Sequence, residues 1–306
     1  MLDVTDDRRL LLNPALRVIR GSDDELVVRH GSRGRSSQRV SDGSRRGVLA
    51  DLALAFADGA RLGDVLEALP DPAGRELVGG LLERRILIDE AAASFAFLTA
   101  GLNVDPAACT VGSLDVVGSG RLAEAAGDMI RDALPDSVAV RRHGDFRTLQ
   151  EGEDVELLVC VSDTYDAPFF FDANEFALTS DVRWHAAYAD GLEAVVGPLY
   201  VPGMTGCFHD FDVLDEAGRS MRVEHVFGKL NRTPARGRIP LYAAAMAGSY
   251  LVASLVQDVF GLGSYLEGHL LRLDLDRLEV IRQQLSRLAR CPACTEGRPD
   301  LRHPFL

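Results

Sequence analysis

Lysine is nearly missing from this 306-residue sequence: Lys229 is the only one, so arginine carries almost all of the positive charge. A mechanism that needs a phosphate-binding lysine therefore has a single candidate. An excess of positive charge is missing too. Lys plus Arg is 33 against 46 for Asp plus Glu, a net charge of −13. That balance argues against general nucleic-acid binding, which needs positive potential facing phosphates. Long apolar runs are absent. The nearest, Leu241–Val256, is interrupted by Gly248, Ser249 and Ser254 and is too short to span a bilayer, so no membrane partner is expected. The segment Met1–Asp7 has neither a basic stretch nor an apolar one and does not read as a signal peptide. Cysteine is scarce and odd in number, at five, which fits a reduced, cytoplasmic protein better than a disulfide scaffold. What is present is ordinary for a folded chain, 47% hydrophobic and 26% charged, and the length predicts about two domains.

Charge is spread unevenly. Residues 8–46 hold ten arginines against four acids, a charge of +6 that leaves −19 for the remainder. Either an anionic partner meets this segment or the stretch 31–47 is a solvated Arg/Ser/Gly loop. Leu16–Ile19, Leu26–Arg29 and Gln38–Val40 read as short strands. Val48, Leu49, Leu52 and Phe56 share a helical face; Leu62–Leu69 and Leu77–Leu82 form two further helices, and Ile86–Ile88 a closing strand. This is a winged-helix-like pattern, assigned to residues 1–92. Small and loop-forming residues over 93–112 mark a linker.

From 113 to 306 strands and helices alternate, which predicts a doubly wound, Rossmann-like α/β sheet. Leu114–Val117, Val138–Arg141, Val155–Val161 and Arg183–Tyr188 are the strands. Leu122–Leu134, Phe169–Leu178 and Leu241–Phe260 are the helices. Leu192–Val201 reads as a hairpin around Gly197-Pro198, and Leu270–Arg282 as a terminal hairpin. Gly118-Ser119-Gly120 opens the first helix in the G-x-G-x-x-(G/A) pattern, whose helix N-terminus can receive an anion. A dinucleotide enzyme wants an acid at the end of the second strand, and Arg141-Arg142-His143 stands there instead. Asp163, after the third strand, reads either as a Mg²⁺ ligand beside phosphate or as the cap of the following helix.

Cys291-Pro-Ala-Cys294 has metal-ligand spacing, and Cys207 with His209 or Asp210 completes a four-ligand set. Either zinc sits there or the motif is a metal-free remnant. Cys109 and Cys160 read as small apolar residues.

The run Val196-Gly-Pro-Leu-Tyr-Val-Pro-Gly-Met-Thr-Gly-Cys-Phe208, with Val159–Asp163, Ala243–Leu255, the terminal hairpin and the closing C-x-x-C, resembles the ThiF-like (ubiquitin-activating-enzyme-like) partner proteins of YcaO cyclodehydratases. Leu12-Asn13-Pro14 and Leu16-Arg17-Val18 resemble the opening of the peptide-recognition domain that such proteins carry first. The resemblance implies a non-catalytic protein of thiazole/oxazole peptide biosynthesis. It would capture the leader of a ribosomal precursor peptide, while a separate YcaO protein uses ATP to cyclise Cys, Ser or Thr. The groove expected for the leader lies between Gln38–Val40 and Glu76–Glu83, with Val40, Leu77 and Leu81 as apolar contacts. Arg33, Arg35 and Arg39 would face an acidic leader. In the family's terms Asp210 replaces the second cysteine of the first metal pair, so the expected metal set is Cys207, Asp210, Cys291 and Cys294. The rival readings are an adenylating enzyme that holds ATP at Gly118, Gly120 and Asp163, and a winged-helix DNA-binding regulator. A homodimer is left open.

Overall fold

The computed structural model describes residues 5–34, 37–99, 108–149, 155–230 and 237–294. The chain divides into two compact units, Met1–Val104 and Asp105–Leu306. A helix (Ala93–Thr99) stands in the stretch whose composition reads as linker.

The first unit holds β1 (Arg9–Leu12), β2 (Leu16–Ser22), β3 (Glu25–His30), β4 (Ser37–Ser41), α1 (Leu49–Leu54), β5 (Ala60–Arg61), α2 (Leu62–Ala68), α3 (Gly74–Glu83), β6 (Leu87–Asp89) and α4, the helix Ala93–Thr99. Two antiparallel three-stranded sheets result, in the orders β5-β1-β6 and β2-β3-β4. Alternation explains the second sheet. Leu26, Val28 and Val40 turn inward, onto Leu49, Leu52, Phe56, Val78 and Leu81 in one core. Asn13 is buried and ties the strands together. Its amide Nδ2 donates to Arg85 O, and its Oδ1 accepts from the Ala15 N–H.

The second unit holds β7 (Ser113–Ser119), α5 (Arg121–Ala133), β8 (Ala139–His143), β9 (Leu157–Ser162), α6 (Ala167–Ser180), β10 (Arg183–Asp190), β11 (Glu193–Tyr200), α7 (Phe208–Gly218), α8 (Arg222–Leu230), α9 (Leu241–Val259), β12 (His269–Asp274) and β13 (Glu279–Gln284). One seven-stranded sheet runs β13-β12-β11-β10-β9-β7-β8. The doubly wound expectation holds only for its parallel half, β8-β7-β9-β10. The other three strands add antiparallel, so the sheet is mixed. Within it, β9 is buried almost throughout, as a central parallel strand must be.

Gly197-Pro198 does not turn a hairpin. It lies inside β11, where the pairing with β10 shifts register between His185 and Ala187, and the Gly197–Pro198 bond is cis. A proline inside a sheet needs such an irregularity because it cannot donate to the ladder. The actual hairpin turn is Gly191-Leu192, and Gly191 has φ +66°.

Candidate functional site

Three places gather the residues that carry chemistry. The first is the sulfur cluster. Cys207 precedes the first turn of α7, and Asp210 lies in that turn. The Cys207 N–H donates to Asp210 Oδ2 at 3.0 Å, and the Leu288 N–H to Oδ1 at 3.3 Å. This fixes the carboxylate beside the cysteines that follow β13. The ligand atoms of Cys207, Asp210, Cys291 and Cys294 all lie within 4.8 Å of one another. Cys207 Sγ is 3.5 Å from Cys291 Sγ, and Cys294 Sγ is 3.8 Å from Asp210 Oδ2. A tetrahedral zinc with Zn–S bonds of about 2.3 Å separates its ligands by about 3.8 Å, so the donor set fits a metal ion in number, type and span. Burial pushes the Cys207 and Cys294 thiols up, which favours their protonated forms until a cation offsets it. His209 is not in the cluster; its ring lies against Phe171. Cys160 is buried in β9, and burial pushes its thiol well up, as a packing residue requires.

The second place is the glycine-rich turn. Gly118 and Gly120 have φ +142° and +97°, and both sit against neighbours that exclude a side chain. A Cβ on Gly118 would lie 2.0 Å from Val161 O, and one on Gly120 would lie 2.6 Å from the Asp163 carboxylate. Asp163 is thus the occupant of the turn. It accepts from the N–H groups of Arg121 at 3.0 Å and Leu122 at 2.8 Å. The carboxylate is a cap, but for α5 and not for the helix that follows it. That next helix, α6, is capped by Asp166 from Phe169 N–H. The N–H groups that would greet a phosphate already hold an anion of the chain's own.

The arginines of β8 are engaged as well. Arg141 forms a two-point pair with the buried Asp115, which also meets His143 Nε2 at 2.7 Å. Arg142 crosses α5 at Gly127 to reach Asp128 and Glu124 O. Residues 237–239 pass close by. Gly237 packs near Thr164, Arg238 pairs with Glu124 at 3.7 Å, and Arg121 donates to Ile239 O. The single lysine is elsewhere: Lys229 holds Asp212 and Glu216, and Asp212 accepts from Tyr165 OH at 2.7 Å.

The third place is the sheet β2-β3-β4 of the first unit. Its side chains fall differently from the sequence expectation. Val40 and Leu81, expected as apolar contacts of the groove, are 7% and 1% exposed and belong to the core. Leu77 packs against that core, half-buried. Arg39 is exposed and 3.3 Å from Glu25; Arg33 is exposed; Arg35 lies outside the described residues.

Two features were not read from the sequence. Among the described residues β4 has only one strand neighbour, and the Asp42 N–H donates to Asp24 O. That bond sets the parity of the antiparallel ladder: Gln38 and Val40 aim their backbone groups at β3, while Ser37, Arg39 and Ser41 turn theirs to the open edge. Strand alternation also puts Arg17, Arg29 and Arg39 on the outer face of this sheet, opposite the core. Arg29 Nε is buried there without a hydrogen-bond partner among the described residues.

No known protein family matches the chain, and no curated protein does. Solved structures do. A heterocyclase in complex with substrate and cofactor superposes with a TM-score of 0.60 at 18% identity, over 94% of this chain and 39% of the other. The heterocyclase TruD gives 0.55 at 19% identity, over 94% and 43%. The microcin C7 biosynthetic enzyme MccB, in complex with N-formylated MccA, gives 0.52 at 15% identity, over 94% and 99%. The chain shares their fold across both of its units. It spans about two fifths of the length of the two heterocyclases. Among the described residues no helix is long and apolar enough to cross a membrane.

Proposed function

We propose that this chain acts in the maturation of ribosomally made, modified peptides, as the non-catalytic subunit that binds the precursor's leader and presents it to a separate YcaO-type, ATP-dependent cyclodehydratase. The reading rests on the open edge of β4. An extended leader can add there as a fourth strand, bonding to Ser37, Arg39 and Ser41, with Arg17, Arg29 and Arg39 drawing acidic side chains across the sheet. In this reading the first unit is a winged-helix peptide-recognition module and the second a ThiF-like scaffold. The fold shared with MccB and with the heterocyclases supports it, since one of those structures holds N-formylated MccA and another a substrate.

Two observations favour binding over adenylation by this chain. Asp163 fills the anion cradle of α5, and Arg141 and Arg142 are committed to Asp115 and Asp128. The sulfur cluster takes a structural role in the same reading. Cys207, Asp210, Cys291 and Cys294 hold zinc, whose charge offsets the buried thiolates and pins the segment after β13 to the start of α7.

The test combines calorimetry with turnover. The purified chain binds its precursor's leader and gives no ATP–pyrophosphate exchange alone, and the precursor loses water only when the YcaO protein is added. Exchange or cyclisation by the chain unaided would overturn the reading.

A further inference from the structure

The second unit ends in another open edge. Among the described residues β13 pairs only with β12, and all six of its residues are exposed. The Leu285 N–H donates to Gly268 O at 2.9 Å, which continues the register 269↔284, 271↔282. By the same parity argument, Glu279, Ile281 and Gln283 bond to β12, and Val280, Arg282 and Gln284 turn their N–H and C=O groups outward.

A cleft of about 530 Å³ adjoins this edge, between α7 and the sheet face. Its volume is in the range of small-ligand sites. Phe211, Leu214, Leu270 and Leu285 are its apolar lining, and Gln283 and Ser286 line it as well. Its charged lining is matched in number, Arg219 and Arg272 against Glu193 and Asp215, and Asp190 pairs with Arg219 from outside the lining. Arg272 bridges Glu193 and Asp215, and Arg219 bridges Asp215 and Asp190. Tyr188, 1% exposed, lies within electrostatic reach of Asp215, Arg219 and Arg272, and its hydroxyl has no partner among the described residues. A charged guest would break paired groups. A neutral hydroxyl, thiol or amide would leave them paired and could use the amide and hydroxyl of Gln283 and Ser286.

We infer that β13 and this cleft form a second peptide site, which takes an extended segment as an added strand and seats a neutral polar side chain in the cleft. It goes beyond the leader-binding reading and stands apart from it, because it uses only residues of the second unit. A second copy of this chain fits the edge less well. Antiparallel self-pairing of β13 that engages all three outward residues (280 with 284, 282 with 282) sets Arg282 opposite Arg282 of the other copy, a like-charge contact that costs stability. The Arg282 guanidinium is held in place by Tyr265 O.

The experiment uses the full chain and a fluorescent, end-capped hexapeptide, Thr-Val-Asn-Val-Thr-Val. At about 1 mM it is expected to slow amide exchange at Val280, Arg282 and Gln284. N-methylating its alternate amides along one edge weakens binding about tenfold or more, while the isomer methylated along the other edge binds unchanged. Combining Val280→Pro with Gln284→Pro removes two outward donors and leaves the bonds to β12 in place, so it has the same tenfold effect. Leu214→Trp narrows the cleft and weakens the Asn-containing peptide more than one carrying Ala there. Three results would each overturn the inference: no protection, equal binding of both N-methyl isomers, or a dimer that the proline variants dissociate. The isomer comparison needs only the wild-type chain, so it decides even if the proline variants misfold. Leader binding is read separately on the first unit.

Discussion

Arg39→Pro is the most informative single change at the leader edge. Arg39 turns its N–H away from β3, so proline there removes an outward donor without removing a rung of the β3–β4 ladder. The edge strand can take the fixed φ of proline, and the Arg39–Glu25 pair it sacrifices joins an exposed arginine to a half-buried glutamate at 3.3 Å and contributes little to stability. The folded state should therefore lose less than about 1 kcal/mol. Leader binding should lose much more. One backbone hydrogen bond contributes about 0.5–1.5 kcal/mol, and the proline ring also obstructs the incoming strand beside it. With the loss of a charge-assisted contact, the expected weakening is about 2–3 kcal/mol, or roughly 30- to 150-fold in Kd. Fluorescence anisotropy with a labelled leader reads the affinity, and thermal unfolding reads the stability. Gln38→Pro is the contrast: its N–H faces β3, so it should lower the melting temperature as well. An Arg39→Pro protein that stays folded and binds leader with unchanged Kd would refute strand addition at β4.

Other expectations follow from the same structure. Changing Arg17, Arg29 and Arg39 together to Ala should weaken leader binding more at low salt than at high, because screening already removes part of the attraction; equal losses would remove the electrostatic argument. Cys291→Ser should abolish a metal content of one zinc per chain, measured by elemental analysis, and lower the melting temperature. Asp163→Ala, which uncaps α5, should cost about 0.5–2 kcal/mol in urea unfolding and leave leader affinity unchanged. Burial pushes the His185 imidazole down to about 4, so it is neutral in the folded chain, where its Nε2 meets Ser254 Oγ. The unfolded chain then binds the extra proton. Stability conferred by this group is whole above about pH 6.5 and falls by about 3 kcal/mol as pH drops to about 4, a loss that His185→Gln should remove from the acid-unfolding curve.

Local order was legible in the sequence, and long-range pairing was not. The alternation of Leu26 and Val28, the apolar run 157–161, and the Gly118–Gly120 turn each record a local constraint, and each marks its element correctly. Asp163 is a different case. Its role depends on N–H groups some forty residues earlier in the chain, so a local reading assigned the cap to the wrong helix. Gly197-Pro198 looked like a turn because the same residues that turn a chain also tolerate a register shift. β5, two residues long, has no periodicity to read. α8 carries its own signal, since Val223, Phe227 and Leu230 recur at helical spacing, although that apolar face is exposed and joins no core. Val40 and Leu81 show why an apolar residue is ambiguous in a sequence. Apolar character marks a groove and a core alike, and their near-complete burial decides for the core.

The most direct measurement is amide exchange on the full chain with and without its precursor's leader, followed residue by residue across the first unit. Slowed exchange at Ser37, Arg39 and Ser41, with Gln38 and Val40 already slow in the free chain, is the expected pattern. A leader that binds while those three amides exchange as before, or that does not bind, would contradict the account.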